Sequence, residues 1–159
     1  ASISIVDQVL TCMGDDQTGL SGLSSFASGM MNINEIIRMS RSKAHSLVLI
    51  DELARTTNPE EGKAIVNATL DLLNKNKVRS LITTHYSGLH WTGRKLSVRG
   101  LSTEKMTEQL TLQNINNYMD YSLVENDSRA NTHQALKIAR LLGVDQELLD
   151  SATQYLGND

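Results

Sequence analysis

The patterning of this chain predicts an α/β fold built on a parallel sheet, and three observations predict it. Residues 47–50, Leu-Val-Leu-Ile, form a continuous apolar run that suits a central parallel strand covered on both faces. A broad apolar stripe at helical spacing follows, with Ile65, Ala68 and Leu72 on one side and Val66, Leu70 and Leu73 beside them. Residues 78–84, Val-Arg-Ser-Leu-Ile-Thr-Thr, then read as a second strand. A strand, a helix and a second parallel strand make a crossover that is right-handed by default.

The remaining elements follow in order. Ile3, Ile5 and Val6 alternate enough to indicate a strand entered at once. Met30, Ile33 and Ile37 recur at helical spacing and predict a helix over about residues 27–40, with Ser24 and Ser25 just ahead of it. Pro59, the only proline, suits the first turn of a helix over 59–74, with Asn58 as its N-cap and Glu60 and Glu61 near the positive end of its dipole. Leu96 with Val98, and Met119 with Tyr121 and Leu123, alternate with polar residues and predict two strands that continue or flank the sheet. Ala135, Leu136, Ala139 and Leu142 form a helical pattern closed by Gly143, and Asp145 starts another through Leu148, Leu149, Ala152 and Leu156. That tail is a helix-turn-helix by shape. Its exposed residues are mixed in sign and its second helix starts acidic, so a DNA-reading role is not implied.

The chemistry concentrates where residues 47–50 end, in the adjacent carboxylates Asp51 and Glu52. In open α/β sheets ligands bind beyond the carboxyl ends of the strands. A nucleotide hydrolase needs a magnesium anchor and a water-orienting base there. Asp51 suits the first role, because magnesium dehydrates reluctantly and takes one or two protein carboxylates, and Glu52 suits the second. The bland alternative is a strand ending in a solvated acidic turn. His85 ends the next strand, where adjacent parallel pairing would bring a neutral imidazole near the acidic pair; its alternative is a capping or surface residue. The hydroxyls of Ser24 and Ser25 at a helix start suit a phosphate, and equally suit a plain cap. The phosphate loop that should accompany such a strand, G-x-x-x-x-G-K-[ST], occurs nowhere in the sequence. The expectation is a piece of a longer nucleotide hydrolase whose phosphate loop lies upstream.

Composition mostly excludes. A chain of 159 residues is long enough for one domain that buries roughly 70% of the surface its unfolded form exposes. The net charge is -3, with no dense Lys/Arg block, which argues against this segment being the main DNA-gripping surface. Arg94, Lys95, Arg99 and Lys105 make a loose basic interval that reads as a solvated face. Cys12 is alone and reads as a partly buried structural thiol, and the four histidines lack a metal-ligand spacing. With no signal peptide and no long apolar run, a reducing cytoplasmic setting without a membrane is expected. No internal repeat or low-complexity tract is present.

Four segments then carry a specific resemblance. Asp7-Gln8-Val-Leu-Thr11, Gly22-Leu-Ser-Ser-Phe26-Ala-Ser-Gly-Met30, Ser46-Leu-Val-Leu-Ile-Asp-Glu52 and Thr84-His85-Tyr86 occur in the order and spacing of the ATPase domain of the MutS family of DNA mismatch-repair proteins. Ala135-Leu-Lys-Ile-Ala-Arg-Leu-Leu-Gly143-Val144 extends the likeness to nearly the whole chain. The resemblance implies a parallel-sheet P-loop NTPase of the ABC type that uses ATP and Mg2+. Residues 1–125 would form part of that domain, and 126–159 a helix-turn-helix for packing or dimerisation. By the same resemblance Asp51 and Glu52 form the Walker B pair and His85 is the switch histidine. Arg55, Thr56 and Thr57 fall in a loop facing a partner subunit, Ser24 and Ser25 in a signature segment reaching the partner's nucleotide, and Tyr121 at the aromatic that covers adenine. A homodimer through the ATPase domain is implied, with DNA held by regions outside this chain. Two departures, Gly29 for a frequent acidic residue and Ala54-Arg-Thr-Thr57 for a glycine-rich turn, keep open a different client. Other DNA structures, ribosomes or cobalamin-dependent aminomutases are the alternatives, as is an inactive interaction module.

Overall fold

In the computed structural model, described for residues 5–13, 22–42, 44–91, 93–125 and 134–156, the apolar run becomes β2 (Ser46–Ile50), the middle strand of a parallel sheet. It is flanked by β1 (Gln8–Cys12) and β3 (Arg79–Ile82), in the register Leu10↔Val48↔Ser80 and Cys12↔Ile50↔Ile82. The expected strand at the start lies later than its alternation indicated. Ile5 is 96% exposed and precedes β1, and Ile3 lies outside the described residues. The pairing groups decide this. Asp7 N–H donates to the His45 carbonyl (2.8 Å), His45 N–H returns a bond to Asp7 Oδ2 (2.7 Å), and the Gln8 amide donates to Ser46 Oγ (2.7 Å), so the ladder begins there.

α1 (Gly22–Ser40) joins β1 to β2, and α2 (Pro59–Lys75) joins β2 to β3. Two successive right-handed crossovers moving the same way along a sheet put both helices on one face. Ile33, Ile36 and Ile37 of α1 and Val66, Leu70 and Leu73 of α2 accordingly bury one cluster with Cys12, Val48 and Ile50. The other face does not match the two-sided cover expected of the 47–50 run. Leu47 and Leu49 are only half-buried, and beside them Val9 (53%) and Leu81 (59%) are exposed.

α1 starts at Gly22 rather than near Ala27, because nothing between them breaks a helix and Phe26 packs against the core. α2 matches its predicted start: Asn58 Oδ1 accepts from Glu60 N–H (2.9 Å), with Pro59 in the first turn. Its buried stripe is narrower than predicted. Ala68 and Leu72 are exposed, while Thr69 is buried, its hydroxyl donating to the Ile65 carbonyl at 2.9 Å, which removes the cost of burying it.

The chain divides into two compact units, Ala1–Thr92 and Gly93–Asp159. In the second, β4 (Leu96–Leu101) and β5 (Met119–Glu125) pair with each other antiparallel; they form their own sheet and do not extend the first. The register shifts between Val98 and Gly100, and Gly100 takes a φ of +82° where the Gln134 side chain fills the place of a Cβ. α3 (Gln134–Leu141) and α4 (Gln146–Leu156) follow. Gly143 (φ +79°) ends α3 in a Schellman motif, with Val144 N–H donating to the Ala139 carbonyl (3.1 Å) and Gly143 N–H to Arg140 (3.1 Å). Asp145 Oδ1 accepts from Leu148 N–H (3.0 Å) and so caps α4. Of the basic interval, Arg94 pairs with Glu125 (3.1 Å) and Arg99 with Asp120 (3.5 Å), which leaves little free positive field there. Among the described residues no helix is long and apolar enough to cross a membrane.

Candidate functional site

The carboxyl edge of the parallel sheet collects the chemically distinctive residues. Asp51 leaves β2 still held by β1, its N–H donating to the Cys12 carbonyl at 2.9 Å, and its carboxylate is exposed. From β3, Thr83 completes the exit. Its N–H donates to the Ile50 carbonyl (3.0 Å), its hydroxyl donates to Asp51 Oδ1, and its carbonyl accepts from Glu52 N–H (3.2 Å). Sequence reasoning passed over Thr83. The available signal was the strand register: in a parallel pair ending at Ile50 and Ile82, the next residue of β3 lies beside the first residue after β2.

Immediately after Asp51 the backbone turns left-handed twice, at Glu52 (φ +47°) and Ala54 (φ +61°). Neither is glycine, and such conformations cost on the order of 1–3 kcal/mol each unless the surroundings impose them. Here they do. Leu53 and Ala54 are buried in the core cluster, the Ala54 carbonyl accepts from the Tyr86 hydroxyl (2.7 Å), and Thr57 N–H donates to the same carbonyl (3.3 Å). Tyr86 reaches that carbonyl across α2 at Gly62, where an added Cβ would stand 2.0 Å from the tyrosine oxygen. The half-buried Glu52 places Oε2 3.0 Å from Arg55 Nη1.

The other predicted residues divide between the two units. His85 is exposed, two positions past Thr83, its ring 4.2 Å from that of Tyr86. Arg55 and Thr56 are exposed, and Thr57 is half-buried with its hydroxyl 3.5 Å from Glu61 Oε2 in the first turn of α2. Ser24 is the third residue of α1, but its side chain lies outside the described residues; Ser25 is half-buried in the same first turn. Both therefore lie inside the helix rather than ahead of it. The Gly29 carbonyl lies 3.9 Å from Cys12 Sγ, so the start of α1 runs past the carboxyl end of β1, the edge that also bears Asp51. Among the described residues, nothing beyond its chain neighbours and its own helix backbone lies within 4 Å of a Cβ built on Gly29, so their packing does not demand glycine there. Burial pushes the Cys12 thiol up, which suits an inert structural sulfur. Tyr121, in the second unit, is 66% exposed on β5, so it is not the core-packing residue its alternation also allowed.

Among the described residues no group of three or more His, Cys, Asp or Glu is placed to hold a metal ion. Adjacent carboxylates of this kind match the sparse protein donor set of a hydrated hard cation.

A parallel α/β unit with its acidic pair at the exit of the middle strand is the class of domain that fold and site define. Within that class, the chain belongs to the MutS family: the model for MutS domain V matches residues 1–158. It is similar to proteins named Endonuclease MutS2. The one from Caldanaerobacter subterraneus subsp. tengcongensis is 31% identical over 160 residues, covering 100% of this chain and 19% of that protein. Those from Fusobacterium nucleatum subsp. nucleatum (32% over 164 residues) and Streptococcus pneumoniae (32% over 158 residues) match 100% and 99% of the chain. The chain thus spans about 19% of the length of these relatives.

Proposed function

We propose that this chain is the C-terminal part of a MutS-type ATPase domain, whose whole protein binds and hydrolyses ATP and couples that to binding mismatched or distorted DNA. One observation carries the reading: Asp51 and Glu52 leave the middle parallel strand side by side, with Glu52 in a left-handed conformation held by Thr83. Backbone outliers of this kind cluster at active sites and switch regions.

In this reading Asp51 would hold Mg2+, which when bound would neutralise phosphate charge. Thr83 orients the Asp51 carboxylate by donating to one of its oxygens. Glu52 orients water at its carboxylate, and Arg55, its ion-pair partner, sets where that carboxylate rests between turnovers. His85 faces the terminal phosphate from the β3 exit, Ser24, Ser25, Thr56 and Thr57 contribute nucleotide contacts across a homodimer, and Tyr121 covers the base. The exposed sheet face of Val9 and Leu81 is where further chain of the whole protein completes the two-sided cover a parallel sheet needs. α3 and α4 serve as the packing or dimerisation element. DNA is held by other regions of the whole protein.

A second reading concerns the client. The relatives carry the name endonuclease rather than mismatch repair, which keeps open the alternative of another DNA structure. Both readings meet one experiment on the full-length protein. Glu52→Gln should leave ATP binding intact and slow single-turnover hydrolysis by roughly 10²-fold or more; an unchanged rate removes Glu52 from the role. Stimulation of hydrolysis by heteroduplex over branched DNA selects mismatch binding, and the reverse order selects the alternative.

A further inference from the structure

The loop that bears Glu52 is held from the β3 exit at two points, on either side of Leu53. Ahead of it, Thr83 takes Glu52 N–H on its carbonyl and its Oγ1, each at 3.2 Å. Behind it, the Tyr86 hydroxyl donates to the Ala54 carbonyl at 2.7 Å. His85 lies between these two holding residues, with its ring stacked at a tilt of 38° on Tyr86. Tyr86 is itself positioned, since Thr84 Oγ1 accepts its N–H (3.1 Å) and Gly62 clears a slot on α2 that a Cβ would close. Ala54 is buried, and with that hydroxyl removed its carbonyl keeps only the longer bond from Thr57 N–H (3.3 Å).

We propose that Tyr86 is a positioning residue: through its bond to the Ala54 carbonyl it fixes the left-handed Glu52–Ala54 turn and so sets Glu52. This deepens the reading of Glu52 as the water-orienting carboxylate and rests on it. A side chain that acts only by placing Glu52 must lose its effect when Glu52 can no longer function.

The test is a double-mutant cycle in the full-length protein with Mg2+ and ATP. Tyr86→Phe, which removes a single oxygen, should lower kcat about tenfold with KM unchanged, short of the roughly hundredfold cost of a 1 Å misplacement. In the Glu52→Gln background it should produce no further loss. An equal loss in both backgrounds, or no loss in either, overturns the proposal while leaving the ATPase reading standing. Should Glu52→Gln itself leave hydrolysis unchanged, the reading of Glu52 as the water-orienting carboxylate falls. Hydrogen exchange then judges the two-point hold separately: faster exchange confined to residues 52–57 in Tyr86→Phe upholds it, and unchanged exchange there overturns it.

Discussion

Gly62→Ala makes a sharp test of the tyrosine slot, because helix propensity and tertiary structure predict opposite signs. Gly62 lies inside α2, where alanine in place of glycine is worth about 0.8–1.0 kcal/mol of added stability. Against this, the new Cβ would stand 2.0 Å from the Tyr86 oxygen and 2.5 Å from Cζ. Carbon contacts settle near 3.5 Å, so the ring must retreat by about 1.5 Å. That movement breaks the 2.7 Å bond to the Ala54 carbonyl. The Ala54 carbonyl keeps its bond from Thr57 N–H (3.3 Å), so losing the tyrosine bond costs about 0.5–1.5 kcal/mol, and overpacking about 1–3 kcal/mol more. After the helix gain is subtracted, the net effect is a loss of about 0.5–4 kcal/mol. Urea unfolding followed by Trp91, the chain's only tryptophan, measures it, since Trp91 packs against the core cluster of the same unit. In a Tyr86→Ala background the clash is gone and Gly62→Ala should stabilise instead. A stabilising Gly62→Ala with Tyr86 in place would refute the slot.

Asn58→Ala removes the α2 cap and should lower the urea midpoint by the equivalent of about 1 kcal/mol, whereas Asn58→Asp should keep most of it. In the full-length protein, Thr83→Val should raise the Mg2+ concentration for half-maximal hydrolysis roughly tenfold and Thr83→Ser should restore it; equal values for Val and Ser would detach Thr83 from Asp51. Burial raises the Cys12 pKa, so the folded thiol keeps its proton where the unfolded one ionises. Its contribution is therefore complete below an unfolded thiol pKa of about 8.5 and is lost as pH rises above it. Unfolding midpoints at neutral and alkaline pH should differ more for the native chain than for Cys12→Ala.

Much of this protein is written in short stretches. Asn58-Pro59-Glu60-Glu61 marks the start of α2, and Gly143 and Asp145 mark the turn between α3 and α4, because caps depend on residues within one or two turns of each other. The 47–50 run and Asp51-Glu52 likewise announce the middle strand and its acidic exit. The start of α1 was less legible: it is stabilised by Phe26 meeting the core, a contact with no local signature. Thr69 lay outside the predicted stripe and is core, since its hydroxyl is satisfied within its own helix.

By itself, then, the sequence determined the α/β class, the family, the order of elements and the carboxylates at the strand exit. Periodicity, capping and motif spacing act between near neighbours, and all of them can be read along a line. Only the tertiary structure decided that Thr83, rather than His85, is bonded to Asp51, that Glu52 and Ala54 turn left-handed, and that Gly62 makes room for Tyr86. Those features depend on strand register and on side chains meeting across more than twenty residues of chain, where approach of a few ångströms determines which group is held and which is not.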